Sequence, residues 1–304
     1  MPKDKLTLAG FLITLVGAIL FSTKAIIVKL AFAQTAIDAV ALLTLRMVFS
    51  LPFYLVAALV ISNREGNVRM TGRQMLLTLG LGLLGYYLSS LFDFLGLQYI
   101  SAGLERLILF LYPTFAVLIT TFVFKQHLGR NQKWALVLTY IGIGIAYFGE
   151  LQIDKSAQFL LGSLLVFLCA VTYSGYISFS GRIIPQVGAL KFTAYAMLAA
   201  TLGVFAHFLV TSGDLSLLAS PRNWEYGLLL AVLATVIPSF LLSLGLKKIG
   251  ANNVAIISSI GPVSTILQAH YILGEPIFPA QLVGTGLVIA GVLLLTPKRK
   301  IETA

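Results

Sequence analysis

GLQYISAG at residues 96–103 and GLKKIGAN at residues 245–252 are one passage written twice. Laying residues 96–149 over 245–298 without a gap brings Gly96, Leu97, Ile100, Ala102, Ile108, Pro113, Leu118, Gln132, Leu138 and Gly142 onto Gly245, Leu246, Ile249, Ala251, Ile257, Pro262, Leu267, Gln281, Leu287 and Gly291. Leucine and isoleucine coincide by chance in any two apolar segments. Glycine, proline and glutamine do not do so readily. At a slightly different offset, Gly10, Leu12, Ala18 and Ser22 fall on Gly162, Leu164, Ala170 and Ser174. The chain therefore reads as two related halves, residues 1–150 and 151–304.

The solvent of these halves follows from composition. Of 304 residues, 58% are hydrophobic and only 11% charged, against roughly 25% charged in a soluble domain. Such a chain cannot cover itself with polar groups in water, so lipid is its expected surroundings. Apolar runs at about 7–31, 38–61, 73–96, 102–124, 132–149, 157–181, 190–211, 224–246, 252–273 and 278–296 are each about the length needed to cross a bilayer core as a helix. They are long and continuous, without the alternation of a barrel, which favours helices over strands. The expected class is an all-α integral membrane protein of ten transmembrane helices. The start at Lys3 and Lys5 followed by Leu6–Leu20 looks like a signal peptide. With no small-residue cleavage pattern after it, it is read as an uncleaved first helix.

Five helices per half is an odd number, so the second half must enter the membrane from the opposite side. Basic residues agree. With the N-terminus in the cytoplasm, fifteen of the 21 Lys and Arg fall on the cytoplasmic side, among them Lys3, Lys5, Arg64, Arg69, Arg73, Lys125, Arg130, Lys133, Arg182, Lys191, Lys247 and Lys248. Lys155, Arg222 and Arg106 fall on the other side, and Lys24, Lys29 and Arg46 lie within spans. This bias predicts an inner-membrane, multi-pass protein with both termini inside. The net charge of +10 is spread through short gaps, so a nucleic-acid partner is excluded. Inverted repeats favour a secondary transporter with its site between the halves near the midplane.

The repeated motifs, with YPT at 112–114 matched by GPV at 261–263, together with Leu45-Arg46, GEP at 274–276 and VGTGLVIAG at 283–291, resemble the drug/metabolite transporter superfamily, in its EamA-type ten-helix branch. The resemblance covers nearly the whole chain. It implies efflux of a metabolite or amino acid through a central cavity lined by helices 1, 3, 4, 6, 8 and 9, and names no substrate. The first half has Lys125, Gln126 and His127 where the second has Gly274, Glu275 and Pro276, so an acidic role there does not carry to both halves.

Ionisable groups inside a membrane are costly and face a cavity or each other. Lys24, Arg46, Asp93, Glu105 and Arg106 all lie toward the outer ends of their helices. Their repeat counterparts carry no charge: Asp93 falls on Leu242, Glu105 on Val254, Arg106 on Ala255 and Lys24 on Tyr176. A one-sided cluster points to substrate binding or gating, with a cation among them meeting a carboxylate or phosphate and an acid meeting an ammonium or proton. The alternative is a salt-bridge network that closes the outer gate without touching a ligand. Lys29 is expected to snorkel to the interface. His270 is the candidate for proton coupling, and Tyr112, Tyr173 and Tyr176 for stacking on or hydrogen bonding to a ligand. Pro113, Pro238 and Pro262 are expected to kink their helices. Glycines at 142, 144, 284, 286 and 291 are assigned to helix packing or a dimer contact, leaving monomer and homodimer both open. No metal, cofactor or catalytic set is visible in the spacing. The expected activity is carriage of a small polar metabolite such as an amino acid outward by alternating access. The alternatives weighed are an integral-membrane enzyme acting on a lipid or lipid-linked substrate, disfavoured by the short loops, and a channel.

Overall fold

A computed structural model describes residues 7–62, 69–125, 127, 129–151, 156–211 and 214–295. Lys3, Lys5, Arg64, Gln126, Lys155 and the basic residues at 298–300 lie outside the described residues. Within them the chain is helical, with no strand. The long helices are α1 Leu8–Gln34, α2 Ala39–Ser62, α3 Gly72–Gly96, α4 Ala102–Phe122, α5 Arg130–Leu151, α6 Ala157–Val187, α7 Ala189–Thr211, α8 Pro221–Leu242, α9 Ile256–Leu273 and α10 Pro279–Leu295. Among the described residues, nine are long and apolar enough to cross a bilayer, and the tenth apolar segment, Pro279–Leu294, is shorter. Exposed Leu76, Phe122, Leu202 and Val210 belong to an outer surface that lipid would cover.

Local chemistry starts these helices. Thr7 accepts from Gly10 N–H, Ser101 from Leu104 N–H and Ser156 from Phe159 N–H, while Thr71 and Gln74 form a reciprocal capping box. Each cap satisfies a backbone donor that the first helical turn leaves without a partner. The sequence underestimates two lengths: α1 runs on to Gln34 and α6 to Val187.

The stretch between α8 and α9 departs from the expected loop. Its backbone stays helical from Ile237 to Ser258, yet it is not one rod. A side chain on Gly245 would stand 3.5 Å from Val254, whereas nine residues of straight helix rise about 13.5 Å. The chain therefore turns back on itself between these residues.

Small residues set the packing and reveal polarity. A Cβ on Gly291 would meet Ala135 and Thr139, one on Gly284 would meet Ala146, and one on Gly149 would meet Ala280. Residue numbers rise along α5 as they fall along α10, so these helices are antiparallel. They occupy the same place in their respective halves, so the halves are inverted relative to each other. The contacts of α1 with α8 (Gly17 against Leu241 and Leu242) and of α6 with α3 (Gly162 against Gly96 and Tyr99) repeat one another with the halves exchanged. Gly144 and Gly286, grouped with the packing glycines on sequence, have nothing within 4 Å of an added Cβ. They do not belong to that contact.

Both halves carry the same two irregularities. A π-helical segment covers Leu83–Leu88 in α3 and Val232–Val236 in α8, positions that correspond at the repeat offset. Each holds an extra residue in one turn and redirects the side chains that follow. Pro238 lies just past the second segment, where the first half has Ser89, whose hydroxyl donates to the Gly85 carbonyl. The distortion thus does not require proline. The second irregularity corrects the reading of Pro113 and Pro262. Helix α4 is interrupted at Phe110–Leu111 and α9 at Ser259–Ile260. Each proline sits in the first turn of the limb that restarts, Tyr112–Phe122 or Gly261–Gln268. There a missing N–H costs nothing. The prolines begin half-helices and do not bend continuous ones.

Candidate functional site

The inverted halves meet around five buried charges. Lys24 from α1 reaches across to α3 and α4, with its Nζ 2.5 Å from Asp93 Oδ2 and 3.4 Å from Glu105 Oε1. Asp93 is 1% exposed and Glu105 0%, so both acids depend on this one ammonium. Desolvating a carboxylate costs several kcal/mol unless a cation and hydrogen bonds replace water. With both acids ionised that replacement is incomplete, since Asp93 Oδ1 and Glu105 Oε2 are buried and find no donor among the described residues.

The two arginines are held differently. Arg46 on α2 donates from Nε to Thr235 Oγ1 at 3.0 Å and from Nη1 to Ser90 Oγ at 3.3 Å, and packs over the Phe94 ring. The π segment of α8 aims Thr235, whose hydroxyl also donates to the Leu230 carbonyl five residues back. Arg106 lies over the rings of Phe21 and Phe110, 5.7 and 5.4 Å from their centroids. Among the described residues its one polar contact is Nη2 to Ser22 Oγ at 3.4 Å, and its Nε has no partner there. Among the described residues no carboxylate approaches either guanidinium within 4.0 Å.

Tyrosines connect the regions of the two arginines. Tyr112 packs edge-on to Tyr173 at 5.2 Å, Tyr173 stacks on Tyr176 at 5.8 Å, and Tyr176 donates its hydroxyl to Tyr86 at 2.9 Å. The spacing of 173 and 176 places both on one face of α6, as one turn of helix requires. Tyr86 comes from the π segment of α3. Lys24, Arg46, Asp93, Glu105, Arg106, Tyr112, Tyr173 and Tyr176 therefore share one region.

His270 does not join them. It is exposed at the end of α9, where its Nδ1 lies 2.9 Å from the Glu275 carbonyl. The proton-coupling role expected of it finds no support in this position. Pro113 and Pro262 border the region by starting the half-helices.

A second polar cluster was missed on sequence. Lys29, expected to snorkel, instead donates to the Ile100 carbonyl at 2.7 Å and lies 3.6 Å from Glu275. The Glu275 carboxylate accepts the Ala102 N–H at 3.1 Å. Beside it, Glu150 accepts from the Ser101 hydroxyl at 2.9 Å and from the Gln281 amide. These contacts fasten the first turn of α4 to α1, α5, α10 and the α9–α10 connection. The pairing of Gln132 with Gln281 in the repeat was the available signal, but only Gln281 reaches an acid. Gln132 accepts from Gly129 N–H at its own helix start.

One cavity of about 440 Å³ opens near the ends of α1 and α3, lined by Phe32, Thr35, Ala36, Ile37, Gln98 and Tyr99. Another of about 370 Å³ is an apolar groove between α4, α5 and α6, with Leu111, Tyr147, Leu164 and Phe167 in its wall. Neither is lined by the five charges, which are buried in this conformation.

This arrangement can be set beside known proteins. The sequence pattern of the EamA-like transporter family matches residues 8–148 and again 160–296. The chain belongs to that family. It is 30% identical over 303 residues to the uncharacterized transporter YcbK of Bacillus subtilis (strain 168), covering 97% of this chain and 95% of that protein. It is 26% identical over 215 residues to YyaM, another uncharacterized transporter of that organism, covering 70% of each. A solved crystal structure at 17% identity shares the fold, with a TM-score of 0.64 over 94% of this chain and 97% of its own. The EamA-like chain is thus a multi-pass membrane protein of a transporter family.

Proposed function

We propose that this EamA-like protein is a secondary carrier that exports a small polar metabolite, an amino acid or a compound of similar size, across the cytoplasmic membrane by alternating access. The observation that carries this reading is the buried, incompletely satisfied charge cluster between two inverted halves. A lipid-facing scaffold gains nothing from five intramembrane charges, three of whose polar atoms have no partner among the described residues. A carrier gains a site that a cargo completes. The duplicated inverted architecture supports the transport step, because exchanging the conformations of the two halves converts a pocket open to one side into one open to the other. The outer cluster around Lys29, Glu150 and Glu275 fits an external gate, since it ties the first turn of α4 to its neighbours. Protons or the solute gradient supply the energy, and both termini face the cytoplasm in the orientation that the basic residues favour.

Counterflow in proteoliposomes tests the reading. Labelled amino acids and related metabolites should enter with saturation and exchange against internal unlabelled solute. Flux that never saturates would replace the carrier by a pore, and chemically altered product would replace it by an enzyme.

A further inference from the structure

Lys24 cannot serve a cargo anion in this arrangement, because Asp93 and Glu105 already share it. That narrows the choice among the three cations. Arg46 has two neutral acceptors within 3.3 Å. Arg106 is 6% exposed, with one long contact to a serine and an unpartnered Nε. Its chain neighbour Glu105 is turned to Lys24. A guanidinium buried this way lacks the paired oxygens its planar fork is built to hold.

The backbone around Arg106 has the same preference. A Cβ on Gly261 would stand 2.8 Å from Arg106 Nη2 and 3.3 Å from Nε, so the guanidinium lies directly over the first residue of the half-helix Gly261–Gln268. On its other side, Phe110 under the guanidinium leads into Tyr112, the first residue of the half-helix Tyr112–Phe122. Helix starts carry partial positive charge and unpaired N–H groups, and broken membrane helices present them to anionic parts of a substrate. The halves differ where this matters. At the matched positions Tyr112 and Gly261, only glycine leaves room for the guanidinium, and Arg106 itself falls on Ala255. With both acids ionised, the five-charge cluster holds one more cation than anion.

We propose that Arg106 is the subsite for an oxyanion of the cargo, a carboxylate or a phosphate, seated against the start of the Gly261–Gln268 half-helix with Ser22 and Tyr112 beside it. This rests on the carrier reading and adds that the transported class is anionic or bears an anionic group. The Lys24–Asp93–Glu105 set then lies next to the remainder of the molecule.

The test uses the full-length purified protein with lactate, glycerol 3-phosphate, chloride and ethanolamine as probes, read by thermal unfolding in detergent and by counterflow in proteoliposomes. Lactate or glycerol 3-phosphate should raise the unfolding temperature saturably, and which of them does so separates a carboxylate from a phosphate site. Arg106→Lys should weaken that response about 10- to 100-fold, the range for losing a charged hydrogen bond, and Arg106→Gln should abolish it. Gly261→Ala leaves every charge in place but crowds the guanidinium, so it should weaken the same response, which keeps the test decisive should Arg106→Gln fold poorly. Oxyanion stabilisation that persists in Arg106→Gln, stabilisation by chloride or ethanolamine alone, or none by any probe overturns the subsite. Saturable counterflow confined to cations and indifferent to Arg106→Gln also overturns it while leaving the carrier intact. Arg106-dependent oxyanion binding without counterflow of any solute keeps the subsite and removes the carrier.

Discussion

Replacing Lys24 by methionine removes the one cation within reach of two buried acids. The contacts at 2.5 Å to Asp93 and 3.4 Å to Glu105 correspond to gross attractions of about 7 and 5 kcal/mol at an effective dielectric near 20. Desolvation cancels most of this. Stranding a buried partner typically costs about 3–5 kcal/mol net, which lowers the folded-to-unfolded ratio by roughly 10² to 10⁴. Lys24→Arg keeps the charge and should lose about 1 kcal/mol through its different shape. Asp93→Asn keeps the Glu105 contact and should fall between the two, near 1–3 kcal/mol. Reversible unfolding of the purified protein in mixed detergent micelles, followed by helical circular dichroism, gives the three values on one scale. The reasoning is refuted if Lys24→Met unfolds within about 1 kcal/mol of the parent, or if Asp93→Asn costs as much as Lys24→Met.

Further outcomes follow from the packing and the outer cluster. Gly142→Leu or Gly284→Leu should push α5 and α10 apart, because the carbonyl of each glycine already touches the position of the other's Cβ. A loss of at least about 2 kcal/mol is expected in the same unfolding assay. Gly144→Ala and Gly286→Ala meet open space and should be neutral or stabilising by about 0.5–1 kcal/mol. Glu275→Ala uncaps the Ala102 N–H and releases Lys29, so a cysteine placed at Ser101 should react faster with a maleimide applied from outside, whereas Glu275→Gln, which still accepts from Ala102, should change that rate less.

What the sequence disclosed and what it hid have separate physical origins. The repeat was legible because Gly96, Pro113 and Gly142 each do a job that few other residues do, and the same job recurs at Gly245, Pro262 and Gly291. Lys24, Asp93 and Glu105 were legible as a group because charge in an apolar span demands an explanation. Their division of labour was not, since nothing in a linear chain says which cation two acids will share. The π segments were invisible: Leu83–Leu88 contains no proline, and its one glycine, Gly85, reads equally well as a packing residue. Lys29 misled for a related reason. Near a helix end, snorkelling and pairing require the same side chain, and the choice is made by Glu275, which comes from the opposite half. Glycine stripes were only half legible, because spacing shows a face and not what stands opposite it, as Gly144 and Gly286 illustrate.

The central claim is that the buried charge cluster becomes accessible to one compartment and then to the other. In a Cys169→Ser background, a single cysteine at Ser22, beside Arg106, can be challenged with a membrane-impermeant maleimide from either face of sealed vesicles. The account expects labelling from both faces. A cross-link joining cysteines placed at Gly96 and Gly162 should abolish access from the outer face only, and one joining cysteines at Gly17 and Leu241 should abolish access from the inner face only. Labelling confined to one face under all conditions, or access from both faces that neither cross-link alters, would contradict it.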